Sequence, residues 1–263
     1  MPLTPYQEEI ARLLSATRTF DSYLAGDAAI HLEPHTTRYS NELDYFHDSV
    51  ERVAEAFAED ERRLREAGHG VAVEMQMPGY VRATVSRGSV STKVEWAHDS
   101  AWRFLPTIRN DIVGYVLHPI DLAINKLLAL TGRDEPRDFL DILDLHGRTL
   151  PIGALCWAAA GKDPGFTPLS LLEILRRRGK YHQEDFARLR LTGPVDLPAL
   201  KTRWLAALSE ADAFVRSRPP EEVGCLYYSR SLERFVVPVP AGPPDAVPHY
   251  GRPGGVLPRV LDE

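Results

Sequence analysis

The sequence predicts an α+β protein, in which a mixed sheet with flanking helices is followed by an all-helical C-terminal region. Three observations carry that reading. Between Val71 and Trp96, three strand-like runs are separated by Pro78-Gly79 and Arg87-Gly88, the turn residues of a β-hairpin succession. Upstream, short strand-like and helix-like segments alternate. From Pro119 to Arg218, every periodic segment has helical spacing.

Each element has a local reason. Thr4-Pro5 supplies an N-cap and a proline at N1, and Gln7-Glu8-Glu9 places acids in the first turn of a short helix through Leu14. Phe20 to Leu24 reads as a strand running into a turn at Gly26, and Ala28 to Leu32 as a short helix after it. A loop containing Pro34 leads to the extended run Glu42-Leu43-Asp44-Tyr45-Phe46. Asp48 or Ser49 caps a long helix from Val50 to Ala67, which Gly68 ends in the C′ position. Strands follow over Val71 to Met77, Tyr80 to Ser86 and Ser89 to Trp96. The helical region then comprises Pro119 to Leu130, Pro136 to Leu145, Ile152 to Ala160, Pro168 to Arg178, Gln183 to Arg190 and Pro198 to Arg218. Cys225 to Tyr228 and Arg234 to Val237 suit a small hairpin, and Pro240 to Glu263 is expected to be irregular or to wrap the body. The chain thus divides into an α/β core over 1–118, a helical domain over 119–218 that completes a cleft, and a Pro/Gly-rich tail over 219–263.

Residues i and i+2 of a strand share a face, so Glu42 and Asp44 stand side by side while Leu43 and Tyr45 point into a core. Adjacent carboxylates repel unless a cation sits between them. The pair is therefore either an exposed acidic strand face or the holder of a divalent metal. Glu95, in the alternating run Val90 to Trp96, is placed to supply a third carboxylate from a neighbouring strand.

Composition narrows the class. The 263 residues are 44% hydrophobic and 26% charged, as in an ordinary globular protein with one good core or one main domain and an appendage. A formal net charge of -6 argues against a broad nonspecific nucleic-acid footprint but leaves room for a local patch. Cys156 and Cys225 lie in apolar surroundings, and reduced buried thiols are expected. The N-terminus reads as no signal peptide, and no run approaches the roughly 18 apolar residues of a membrane helix. A soluble, cytoplasmic protein with no membrane partner is expected. No P-loop, dinucleotide fingerprint or nucleophile elbow occurs.

The order of motifs is more specific than any one of them. Gly26-Asp27 precedes Arg38-Tyr39-Ser40-Asn41-Glu42-Leu43-Asp44-Tyr45-Phe46, and an acidic strand with Glu95 follows. Next come the helix Pro119-Ile120-Asp121-Leu122-Ala123-Ile124-Asn125-Lys126-Leu127-Leu128-Ala129-Leu130 and the segment Arg133 to Ile142, containing Arg137-Asp138-Phe139. From Tyr23 to Leu145 the chain resembles the AbiEii/AbiGii-type nucleotidyltransferases of the DNA polymerase β-like superfamily, often toxins of toxin–antitoxin or phage-defence systems. The resemblance implies a nucleotidyltransferase-like fold with Mg2+ or Mn2+ held by Glu42, Asp44 and Glu95. It implies an NTP against the Gly26 turn, with Asp27, Arg38, Ser40 and Lys126 near its phosphates. Glu95 would complete a two-metal arrangement or deprotonate the acceptor hydroxyl, and Lys126 and Asp138 would join the catalytic set. An RNA or tRNA end, or a protein hydroxyl, is the implied acceptor, and a cognate antitoxin the implied partner.

Two positions depart from the family pattern. Its Gly-Ser appears as Gly26-Asp27, an anion where phosphate should sit, and its D-x-D appears as Glu42-Leu43-Asp44. Both fit either a weakened enzyme or a catalytically silent binding protein for an antitoxin or RNA.

Other residues have plainer readings beside the functional ones. Lys126 either snorkels from an apolar helix or faces phosphate. Asp138 either complements the helix dipole after Pro136 or acts in the site. Asp141 and Asp144 are expected on a solvated face or as partners of Arg133 and Arg137. His31, His35 and His47 show no zinc spacing. Arg176-Arg177-Arg178 with Lys180 suits a helix C-terminus better than an RNA patch. Trp157, Phe166, Trp204 and Phe214 are expected in the core of the helical part.

Overall fold

The computed structural model describes residues 3–32, 37–238 and 245–258. The chain forms two compact units. One is Met1–His118 with Arg190–Thr192 and Pro253–Gly255; the other is Pro119–Leu189 with Gly193–Arg252 and Val256–Glu263.

In the first unit, α1 (Pro5–Leu14) starts at a capping box in which Thr4 Oγ1 accepts from the Gln7 amide and Gln7 Oε1 accepts from the Thr4 amide. β1 (Ser22–Ala25) begins two residues later than the pattern predicts. Thr19 and Ser22 exchange backbone hydrogen bonds in a tight turn, and this leaves Phe20 exposed. α2 (Gly26–Ile30) follows without a connecting turn. β2 (Glu42–His47) carries the acidic pair, and α3 (Val50–Glu66) is capped by Ser49 and left through Gly68 at positive φ. The hairpin succession is β3 (Gly70–Met77), β4 (Tyr80–Arg87) and β5 (Val90–His98). Three short strands absent from the sequence reading come next: β6 (Trp102–Arg103), β7 (Ile108–Asn110) and β8 (Gly114–Val116). At two or three residues each, they are too short to show a period.

Among the described residues the main sheet has the order β3-β4-β5-β2-β1-β8-β7. β2 runs parallel to β5 and β1 parallel to β8, and the remaining pairs are antiparallel, so the sheet is mixed. Leu43, Tyr45, Val81, Ala83, Val85, Val94 and Trp96 bury one face, against which α3 packs. The opposite face carries Glu42, Asp44, Arg82 and Glu95.

Buried arginines paired with acids brace this unit. Arg18 Nη2 lies 2.5 Å from Asp60 Oδ2, with both side chains fully buried. Asp60 also accepts from Trp96 Nε1 at 2.7 Å and Thr17 Oγ1 at 2.6 Å. Arg103 forks onto Asp48 at 2.7 and 3.1 Å and lies over the Tyr23 ring.

His47 gives the fold a pH dependence. Burial first, then the charges of Arg18 and Arg52, push its pKa down to about 2. An unfolded histidine titrates near 6.5 (~). The stability of the neutral ring is therefore complete above that pH and is lost as pH falls, because only the unfolded chain takes the proton. The slope is about 1.4 kcal/mol per pH unit. His118, pushed down to about 4 by burial, adds the same sign. Urea denaturation between pH 6.5 and 5 (~) should show the decline, and His47→Leu should reduce its slope by about 1.4 kcal/mol per unit. An unchanged slope in that variant would rule out His47 as the source.

The second unit contains α4 (Pro119–Gly132), α5 (Pro136–Arg148), α6 (Ile152–Lys162), α7 (Pro168–Leu175) and α8 (Leu197–Ser217). α7 stops at Leu175 rather than Arg178, because the chain turns toward Gly179 at positive φ. The segment expected as a helix over Gln183 to Arg190 is only a 3-10 turn, Gln183–Phe186. Trp157 and Trp204 are buried, while Phe166 and Phe214 are half-buried. Cys156 and Cys225 are free, buried thiols.

β9 (Cys225–Ser229) and β10 (Arg234–Val236) form the expected hairpin. β11 (Ala246–Tyr250) adds a third strand within the stretch expected to be irregular. Pro248 hid it, since a proline lowers a strand reading yet is tolerated on an edge, which β11 occupies in the order β10-β9-β11. β9 packs on α6, where the backbones of Gly161 and Gly224 meet: a Cβ on Gly161 would lie 2.4 Å from the Gly224 carbonyl oxygen. Among the described residues, no helix is long and apolar enough to cross a membrane.

Candidate active site

Strand register assembles the acidic cluster. β2 and β5 run parallel with Asp44 opposite Glu95, so alternation places Glu42, Asp44 and Glu95 on one sheet face. Each offers a carboxylate oxygen, and the three oxygens lie within 4.8 Å of one another. Asp44 is buried, whereas Glu42 and Glu95 are half-buried. On the other side of β2, Asp44 pairs with Ala25, the last residue of β1.

Gly26 has a steric task here. A Cβ built on it would lie 2.1 Å from Asp44 Oδ2, and its φ is +59°. Only glycine lets the Asp44 carboxylate rest against the backbone where β1 enters α2.

The entry to β2 is held from several directions. Arg38 is the cation that neutralises Asp27: Arg38 Nη2 lies 2.7 Å from Asp27 Oδ2, and both side chains are buried. Arg38 bridges Leu191 through the backbone, and the Tyr39 amide donates to the Arg190 carbonyl at 2.9 Å. The Arg190 guanidinium lies 5.4 Å over the Tyr39 ring. Ser40 Oγ donates to the Glu42 carbonyl at 2.7 Å and accepts from the Glu42 amide, fixing the first acid's backbone. Gln7 Nε2 donates to the Ser40 carbonyl and to Thr92 Oγ1, each at 3.3 Å, tying α1 to this corner and to β5.

Glu95 is gripped by β4. Arg82 Nε and Nη2 both reach its Oε1, at 2.7 and 2.6 Å. Burial, then the Glu95 charge, pushes the Tyr80 phenol up to about 12, and the Arg82 guanidinium lies over the Tyr80 ring. Arg82 was not among the residues singled out from sequence. Its alternation on β4 places it on the acidic face, but only the β4–β5 register sets it opposite Glu95.

Lys126 does not snorkel. It is buried, with its Nζ 2.8 Å from Asp138 Oδ1 and 3.2 Å from Asp141 Oδ2. Arg133 also donates to Asp138, at 2.7 Å. Asp141 is thus a buried partner of Lys126, not a member of a solvated face, because the α5 stripe that carries it faces the α4–α5 contact. Asp144 pairs with Arg148 at 2.9 Å. Arg176, Arg177 and Arg178 are engaged by Asp212, by Glu173 and by the Leu130 and Thr131 carbonyls respectively, which is the helix-end arrangement. His31 and His47 are buried, while His35 lies outside the described residues.

No family model and no curated protein matches the chain. Among solved structures it is similar to MenT4, a nucleotidyltransferase toxin from Mycobacterium tuberculosis H37Rv. That match has 18% identity, covers 82% of this chain and 83% of that one, and has a TM-score of 0.53. It is also similar to an H. pylori protein assigned provisionally as a nucleotidyltransferase, at 13% identity over 81% of this chain and 98% of that one, with a TM-score of 0.50. What is shared at these identities is the fold, and the α+β chain is nucleotidyltransferase-like.

Proposed function

We propose that the chain is a divalent-metal-dependent nucleotidyltransferase of the AbiEii/AbiGii type, the toxin of a cytoplasmic toxin–antitoxin or phage-defence pair. The observation that carries the reading is the convergence of Glu42, Asp44 and Glu95 within 4.8 Å on the sheet of a nucleotidyltransferase-like fold. Three hard oxygen donors this close repel unless a cation joins them, and carboxylate oxygens are the ligands that Mg2+ and Mn2+ prefer. The cluster therefore fits such an ion. Bound there, the ion would offset the charge of the triphosphate.

The chain's own residues do the rest of the proposed work. The acceptor hydroxyl oxygen, of an RNA or tRNA end or of a protein, forms a bond to the α-phosphorus of the NTP. The α–β phosphoanhydride bond breaks, pyrophosphate leaves, and the hydroxyl proton passes to a carboxylate, for which Glu95 is the candidate. Gly26 brings the start of α2 against Asp44, giving the triphosphate its proposed seat. Arg38, ion-paired with Asp27, is the residue proposed to meet phosphate, and Ser40 fixes the strand entry. Lys126 and Asp138 carry the roles that the resemblance implies for them.

The test is incubation of the chain with each α-labelled NTP, Mg2+ and total cellular RNA. Label should appear in RNA or protein. Glu42→Asp, which restores the family's shorter acid, should raise the transfer rate or the Mg2+ affinity several-fold. Stabilisation by NTP and Mg2+ without label transfer in either form would instead favour a silent binding protein. An unchanged melting temperature together with no transfer would end the nucleotidyltransferase reading.

A further inference from the structure

Glu95 enters the acidic cluster with one oxygen already taken. Arg82 Nε and Nη2 both donate to Oε1, from the residue directly opposite on β4. The guanidinium also has an aromatic neighbour on its own strand, since it lies 5.7 Å over the Tyr80 ring. The Glu42 charge also acts on Arg82. The three acids thus share the face with a resident cation, fixed to the member farthest from Gly26 in strand order.

We infer that Arg82 is a positioning residue that holds Glu95 by one oxygen, leaving the other to serve the reaction, and lowers the negative potential of the cluster. The inference rests on the nucleotidyltransferase reading of the site. A guanidinium has a rigid fork and an ammonium does not, so Arg and Lys differ in positioning although both carry the charge. Removing the cation should strengthen attraction of a divalent ion to the remaining carboxylates, while freeing Glu95 to rotate away from the acceptor. Metal affinity should then hold or rise while the transfer rate falls. A purely structural cross-strand link would not produce that split.

The experiment compares the full chain with Arg82→Ala and Arg82→Lys. Three quantities are read: Mn2+ affinity by calorimetry, single-turnover transfer at saturating NTP and metal, and melting temperature. Arg82→Ala should bind Mn2+ as tightly as wild type or a few-fold more tightly, while transfer falls about 10- to 100-fold, the range typical of lost outer-shell partners. Arg82→Lys should recover the wild-type metal affinity but only part of the rate. Mn2+ affinity falling in step with melting temperature would make the link merely structural, and an unchanged transfer rate would also overturn the inference. Asp44→Asn separates this from failure of the site itself. If Asp44→Asn abolishes transfer and Arg82→Ala does not, Arg82 alone is misassigned; if neither changes Mn2+ binding or transfer, the site reading fails and the inference with it.

Discussion

Asp44→Asn is expected to reduce nucleotidyl transfer by about 1,000-fold or more, roughly 4 kcal/mol of transition-state stabilisation. Mn2+ binding should weaken in parallel. The substitution keeps the size of a side chain that rests against Gly26, where space is tightest, so the sheet should retain its packing. The effect is large because Asp44 is the central acid: it is buried, stands opposite Glu95 in register, and shares a strand face with Glu42. The charge removed is the one that both neighbours need in order to share a cation. Transfer assays and metal titration on the same preparation, with circular dichroism as a fold control, give the answer. Persistent transfer at the wild-type rate would mean that these acids are a solvated strand face and that the chemistry lies elsewhere.

The second large effect concerns stability. Asp60→Ala should lower the unfolding free energy by about 3–5 kcal/mol, the cost of leaving a buried charge without its partner. Arg18 is fully buried beside Asp60 and would keep its charge, while Trp96 Nε1 and Thr17 Oγ1 would each lose an acceptor. The network touches both strands of the candidate site from behind. Arg18 lies 4.5 Å over the Tyr45 ring, next to Asp44, and Trp96 follows Glu95. Transfer activity should therefore decline at temperatures where the variant is still folded. Trp96→Phe removes one hydrogen bond and replaces a fully buried indole by a smaller ring; the acceptor left short should cost about 1–3 kcal/mol, and the cavity adds to that. Urea denaturation of both variants provides the measurement. A loss below about 1 kcal/mol for Asp60→Ala would show that the pair is offset by its own desolvation cost.

Much of the first unit was legible because local rules there agree. Thr4 with Gln7, Ser49 and Gly68 mark helix ends through groups within four residues of one another, and Pro78-Gly79 and Arg87-Gly88 turn the strands between alternating runs. The i, i+2 spacing of Glu42 and Asp44 fixed their common face, because strand period is a property of the backbone alone. Asp60 offered a missed signal. It falls in phase with Val53, Phe57 and Leu64 on the buried stripe of α3, and an acid on an apolar stripe asks for a buried partner.

Register and partner choice belong to the tertiary structure. Nothing near Glu95 in sequence says that it faces Asp44 across a parallel pair, or that Arg82 will hold it, since those contacts span many residues and depend on which strands lie adjacent. Asp27 beside Gly26 reads as an anion in the wrong place until the Arg38 segment, pinned to Arg190–Thr192, brings a guanidinium to it. Lys126 reads as a lysine that either reaches water or faces phosphate, and only the packing of α4 on α5 shows it enclosed with Asp138 and Asp141. The sequence by itself determined which residues carry charge, where elements begin and which strand face holds the acids, all through interactions between near neighbours. Which charge meets which was decided only by long-range packing, because a buried ion selects its partner from whatever the fold brings within a few ångströms.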